Sequence, residues 1–192
     1  MIDITIHYGL LSRKMAYVRM GYMEILLLQQ GSVKIKGKTA TFVLKPQDTS
    51  PDVSGAFYLD QKDSRPPTYD GGITIDSPGE YEIGGVKIKG VTNSNEITFS
   101  INIDGISLLL GTLSALEKVH GKLQEHDLTL VDVDTLVDPS FVSGLSTHGI
   151  LYTGEKATEL SETYLKDESQ VMSKFSSTKD KLPQEMVTIL LQ

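Results

Sequence analysis

The chain of 192 residues contains no cysteine and no tryptophan. Without cysteine there is no disulfide, no thiolate zinc site and no thiol nucleophile. Positive charge is also scarce: 18 Lys and Arg stand against 25 Asp and Glu, a formal net charge of −7. That balance, with no run of basic residues, argues against a general binder of the nucleic-acid backbone. No apolar stretch approaches the ~20 residues that cross a bilayer. The N-terminal segment mixes Arg13, Lys14 and Arg19 among apolar residues and lacks a small-residue cleavage site, which speaks against a signal peptide. A cytoplasmic protein with no membrane or nucleic-acid partner is the expectation. Histidine is sparse as well: His7, His120, His126 and His148 are the full set.

What is present is ordinary for a globule, with 39% hydrophobic and 22% charged residues. The length suits one domain with a real core. The clearest local signal runs over residues 73–111. Gly84-Gly85 and Asp104-Gly105 each separate two apolar-alternating runs, and both pairs reach positive φ cheaply, as tight hairpin turns require. Ile97, Phe99, Ile101 and Ile103 alternate with Thr98, Ser100 and Asn102, the pattern of a half-buried strand. Residues 106–110 are apolar on both faces and predict a covered central strand, with helices as the cover.

Upstream, strands are expected at 24–28, 33–36 and 39–44, followed by a long loop over 47–72 with a short apolar island at 56–59. Downstream the pattern becomes helical, with Leu113, Leu116 and Val119 at three-residue spacing. Strands are expected at 128–131, 149–153 and 186–191. A short helix is expected at 141–145. A longer one covers 155–165, with Ala157, Leu160, Tyr164 and Leu165 inward. Residues 168–177 read as a polar connector. Residues 1–22 fit no such pattern and read as a dispensable N-terminal extension, leaving one domain over 23–192; Ile2, Ile4 and Ile6 offer an extra strand as the competing reading.

The segment Ile75-Asp76-Ser77-Pro78-Gly79-Glu80-Tyr81-Glu82-Ile83-Gly84-Gly85-Val86-Lys87-Ile88-Lys89-Gly90 resembles the "DGPGEYEVxGVxIxG" block of the metallo-β-lactamase superfamily, in the small bacterial Zn-dependent hydrolase-like branch related to ascorbate-phosphate lactonase. Softer matches are Gly31-Ser32-Val33-Lys34-Ile35-Lys36-Gly37-Lys38 to the opening hairpin and Lys179-Asp180-Lys181-Leu182-Pro183-Gln184-Glu185 to the C-terminal "KKDLPEE". The resemblance implies an α/β (α+β) architecture: an αββα sandwich of two mixed β-sheets with outer helices. It also implies a hydrolase whose HxHxDH motif, later histidines and bridging Asp hold one or two zinc ions that generate hydroxide.

This chain departs from that ligand set. The loop over 47–72 has no histidine and offers Asp48, Asp52, Asp60, Asp63 and Asp70, in a spacing that matches no calcium loop. Thr112 stands where the bridging Asp is expected, and Ile150-Leu151-Tyr152-Thr153-Gly154 has no histidine at the late strand end. The remaining candidates for a metal are Asp63, Thr112, Asp132 and His148. Asp132 and Asp134 lie at a strand end, where α/β proteins place catalytic carboxylates, although a solvated turn is the simpler expectation. His120, before Gly121, suits a helix C-terminus, and surface or capping roles are expected of His126 and His148 also. Glu80 and Glu82 share a sheet face as structural partners for lysines. Ser140 and Ser143 lack a nucleophile elbow. The favoured reading is a non-catalytic pseudo-hydrolase without cofactor, serving in binding or assembly through homo-oligomer contacts. The alternatives are a metal-dependent hydrolase holding zinc in a non-standard site, and an unrelated β-rich scaffold.

Overall fold

The structure is a computed structural model, and it describes residues 22–47, 53–60, 72–145, 147–165 and 169–192. Residues 1–21, which hold the competing strand and all of the N-terminal extension except Tyr22, lie outside the described residues, as does Asp63. The first sheet is built from β1 (Tyr22–Leu27), β2 (Val33–Lys36), β3 (Thr41–Leu44), β4 (Gly55–Phe57), β5 (Ile73–Ile75) and β13 (Lys174–Thr178). The second holds β6 (Gly79–Ile83), β7 (Val86–Asn93), β8 (Glu96–Ile103), β9 (Ile106–Thr112), β10 (Leu128–Asp132), β11 (Gly149–Thr153), β12 (Ser169–Met172) and β14 (Val187–Leu191). Their spatial orders are β13-β1-β2-β3-β4-β5 and β12-β14-β11-β10-β9-β8-β7-β6.

Both sheets are mixed. β6 to β9 form an antiparallel meander, and β9, β10, β11, β14 and β12 are mutually parallel. Local sequence explains the meander. Gly84 and Gly85 have φ of 59° and 81°, and Asp104 and Gly105 have 53° and 83°, so both turns take the mirror-image form that matches strand twist. The parallel half needs crossovers, supplied by α1 (Leu113–Val119) after β9 and α2 (Ala157–Leu160) after β11.

One apolar core fills the space between the sheets. Met23, Ile25, Ile35, Phe42 and Phe57 from the first sheet meet Phe99, Ile101, Leu110, Leu130 and Leu151 from the second. Phe57 lies 5.0 Å from Phe99, centroid to centroid. A second core lies on the other face of the eight-stranded sheet, where Leu109, Val131, Ile150 and Tyr152 are covered by Leu113 and Leu116 of α1 and Leu160 of α2. The expected cover for 106–110 is therefore present, and each such leucine is worth about 1.5–3 kcal/mol of burial. Phe99 and Ile101 are buried, as the alternation predicts.

Four readings need correction. Residues 168–177 contain two strands, β12 and β13, rather than a connector. Both are edge strands whose pairing partners, β14 and β1, lie elsewhere in the chain, so their local apolar pattern is weak. Tyr164 is 43% exposed rather than inward. α2 gives way to a π turn over Ser161–Leu165, and the wider turn rotates Tyr164 off the buried stripe. The solvated strand end expected at Asp132 is buried. His126 is buried too, not a surface or capping residue.

Candidate functional site

The parallel strands end together, and their last residues form a row. Thr112, Asp132 and Thr153 stand in register across β9, β10 and β11. Each lies two residues beyond Leu110, Leu130 or Leu151, so each continues the face that looks toward the other sheet. The C-terminal rim of parallel strands is the usual place for α/β chemistry.

Asp132 is the central group. Its side chain is 2% exposed, and Lys45 Nζ lies 2.5 Å from its Oδ2 as an ion pair. Lys45 follows β3 of the facing sheet, so the pair spans the cleft between sheets. Its backbone is left-handed, with φ of 52°, and is held on both sides: its N–H donates to Phe57 O at 3.1 Å, and its carbonyl accepts from Ser32 Oγ at 2.6 Å. Burial pushes the Asp132 carboxyl above its ordinary range, the Lys45 charge opposes that, and Asp134 and Asp60 add to the rise. Gly154, at φ of 102°, is bare beside it; a Cβ there would come within 2.5 Å of Asp132 Oδ1. The buried Thr153 Oγ1 has no hydrogen-bond partner among the described residues.

Thr112 serves a different purpose. It caps α1 by accepting from the Ala115 N–H at 3.1 Å, and its hydroxyl donates to Glu96 Oε1 at 2.7 Å. Ser114 donates to the same oxygen, and Lys118 Nζ reaches Glu96 Oε2 at 2.7 Å. Desolvation would raise the Glu96 carboxyl, but the hydrogen bonds from Lys118, Ser114 and Thr112 with the Lys118 charge outweigh it and hold it below its ordinary range.

The sequence candidates do not converge. Thr112 and Asp132 are neighbours on the rim. His148 is exposed and precedes β11, at the opposite end of the strands and about 15 Å away. There its backbone N–H donates to Asp127 O and its carbonyl accepts from Val187 N. Asp127, also buried, is bound by Ser107 and by Lys179 Nζ at 2.6 Å. Sequence reasoning missed Lys45 and Glu96, because no local motif surrounds either. It also missed the pairing of His126 with Ser100. His126 Nδ1 donates to Gln124 O at 2.7 Å, and its Nε2 pairs with Ser100 Oγ at 2.7 Å, as the acceptor when the ring is neutral. Ser100 borders a polar groove of about 540 Å³ with Glu80, Glu82, Lys87, Lys89 and Asn102. There Glu80 stands opposite Lys89 and Glu82 opposite Lys87, as cross-strand neighbours of unlike charge.

Among the described residues, the donor set on the rim does not suit a catalytic zinc. No three His, Asp or Glu side chains among the described residues are placed to share a metal. Asp132 already faces an ammonium, Glu96 is engaged by two hydroxyls and a lysine, and Thr112 offers a neutral hydroxyl. No helix among the described residues is long and apolar enough to cross a membrane.

No protein-family model matches the chain. No curated protein matches it either. Solved structures do. A proposed Zn-dependent hydrolase of the metallo-β-lactamase superfamily from Thermotoga maritima superposes with a TM-score of 0.62 at 20% identity, over 88% of this chain and 97% of that one. A metallo hydrolase from the archaeon Ignicoccus hospitalis gives 0.54 at 10% identity, over 81% and 98%. With the two facing sheets and the helices on the outer face, these likenesses establish the metallo-β-lactamase fold. They remove the reading as an unrelated β scaffold.

Proposed function

We propose that this chain is a degenerate member of the metallo-β-lactamase superfamily, of the small bacterial Zn-dependent hydrolase-like branch, that does not generate metal-bound hydroxide. In this reading it is a cytoplasmic pseudo-hydrolase without cofactor that serves in binding or assembly, including homo-oligomer contacts. The observation that carries the reading is the Lys45 ammonium on Asp132 at the strand-end rim. A cation fixed to the chain neutralises the carboxylate yet has no open coordination position for water, which a catalytic zinc needs. The hydrolase descriptions of the structural neighbours favour the alternative, a metal-dependent hydrolase with a non-standard site. Metal analysis decides between them, on protein expressed in zinc-supplemented medium and dialysed without chelator. The expected result is zinc well below one per chain. A stoichiometry near one, lost on Asp132→Asn or His148→Ala, overturns the proposal.

A further inference from the structure

The outer face of the eight-stranded sheet is covered on one half and open on the other. α1 and α2 shield Leu109, Val131 and Ile150, whereas Lys87, Lys89 and Asn102 of the meander are exposed. Ser100 stands at the border, opposite Leu109 of β9 on one side and Lys89 of β7 on the other. We infer that Ser100 and His126 form a metal-independent acyl-transfer pair whose substrates are polar carboxylic esters held in the groove over the meander. The inference goes beyond the preceding reading. Ser100 alternates with the core residues Phe99 and Ile101, so it lies on the sheet face turned away from the Lys45–Asp132 cleft.

The relations that serine acyl transfer needs are present. The nucleophile touches its base: Ser100 Oγ lies 2.7 Å from His126 Nε2. The base is oriented: His126 Nδ1 donates to Gln124 O, so in the neutral ring Nε2 holds the lone pair that takes the Ser100 proton. The nucleophile is reachable: the imidazole is buried, but half-buried Ser100 lines the groove of about 540 Å³. A pair that served packing alone would keep both members inside. Lys89 faces Ser100 with Cβ atoms about 5 Å apart, and Asn102 follows on the same face; their ammonium and amide are the groups that meet a developing oxyanion. Glu80, Glu82, Lys87 and Lys89 around the groove disfavour a long apolar acyl chain. In the first step the Ser100 proton passes to Nε2, an Oγ–C bond forms, and the ester C–O bond breaks as the imidazolium protonates the leaving alkoxide. Water then attacks the acyl carbon, gives a proton to Nε2, and the acid leaves as that proton returns to Oγ.

A fluorophosphonate probe, which bonds to an activated serine oxygen with loss of fluoride, tests the pair. Wild-type protein is expected to gain a phosphonyl group on Ser100 alone by peptide mapping, at the same rate with and without EDTA. p-Nitrophenyl acetate is expected to give a burst of about one p-nitrophenolate per chain. His126→Gln keeps a side-chain partner for Ser100 but has no base, so labelling is expected to fall about 100-fold at an unchanged melting temperature. Lys89→Met, at an exposed position, is expected to slow labelling several-fold and keeps the test open should His126→Gln not fold. An unlabelled Ser100, labelling spread over many serines, no burst, a rate indifferent to His126 and Lys89, or loss of labelling with EDTA would each overturn the inference. Zinc in the metal analysis would defeat the preceding reading and leave this pair standing, so the two failures are distinct.

Discussion

β10 carries a buried aspartate at each end, and the two are held in opposite ways. Asp127 precedes the strand and Asp132 closes it; each faces a partly exposed lysine, Lys179 and Lys45 respectively. Asp127 also accepts from the Ser107 N–H at 2.7 Å and the Ser107 hydroxyl at 2.9 Å. Desolvation raises its carboxyl, but these bonds and Lys179 prevail, and the group stays below its ordinary range. Asp132 has the lysine but lies deeper, with a side chain 2% exposed against 10% for Asp127, and burial carries it above its ordinary range. At Asp132 one lysine does not offset the desolvation, whereas at the less deeply buried Asp127 the Ser107 donors join the lysine and prevail. The well-satisfied end is built for stability. The poorly satisfied end lies on the rim where this fold class places chemistry, and strain of that kind belongs at sites rather than in scaffolds.

The core that both ends share sets the scale. Phe99→Ala is expected to cost roughly 3–5 kcal/mol through lost burial and a cavity, read as a lower denaturation midpoint at unchanged slope. A cost no larger than that of Ser100→Ala would mean that the alternation in β8 is not read by one buried face. The comparison itself is broken or sharpened by removing each charge. Asp127→Asn is expected to destabilise by about 1–3 kcal/mol, since its donors lose a charged acceptor. Asp132→Asn is expected to be neutral or stabilising at neutral pH, because it removes a charge that the fold disfavours. Equal losses would erase the distinction between the two ends.

Acidity separates them further. Because the folded Asp127 titrates below its ordinary range, its stabilisation is present above that range and is lost as pH falls through the folded value. Asp132 has the reverse sign: the stability of its protonated form is present at low pH and is lost as pH rises through its raised folded value. Melting temperature against pH should therefore lose part of its acid slope in Asp127→Asn, whereas Asp132→Asn should remove a decline on the higher-pH side. The smallest effect is expected for Lys156→Ala, which breaks an exposed pair with Glu159 and should leave the melting temperature unchanged within error.

The hairpins and their inward faces were legible because turn and alternation are both local. Gly84-Gly85 and Asp104-Gly105 name their own backbone conformation, and Phe99 and Ile101 name their face by spacing alone. β12 and β13 escaped that logic, since an edge strand with few apolar residues is recognised only by its partner. The candidate site was legible only in part. Thr112 and Asp132 stood out through the family resemblance and a strand end, but nothing in the order of residues said that Asp132 would be buried or what would face it.

The sequence by itself determined the turns, the periodicities and the histidine-free loop, because φ preference, side-chain alternation and ligand chemistry belong to single residues and their near neighbours. Tertiary structure alone decided that Lys45, at the end of a strand in one sheet, would meet Asp132, at the end of a strand in the other. The physical reason is that burial, the dielectric around a charge and the partner that answers it depend on how the two sheets pack, and long-range packing leaves no local periodicity to read.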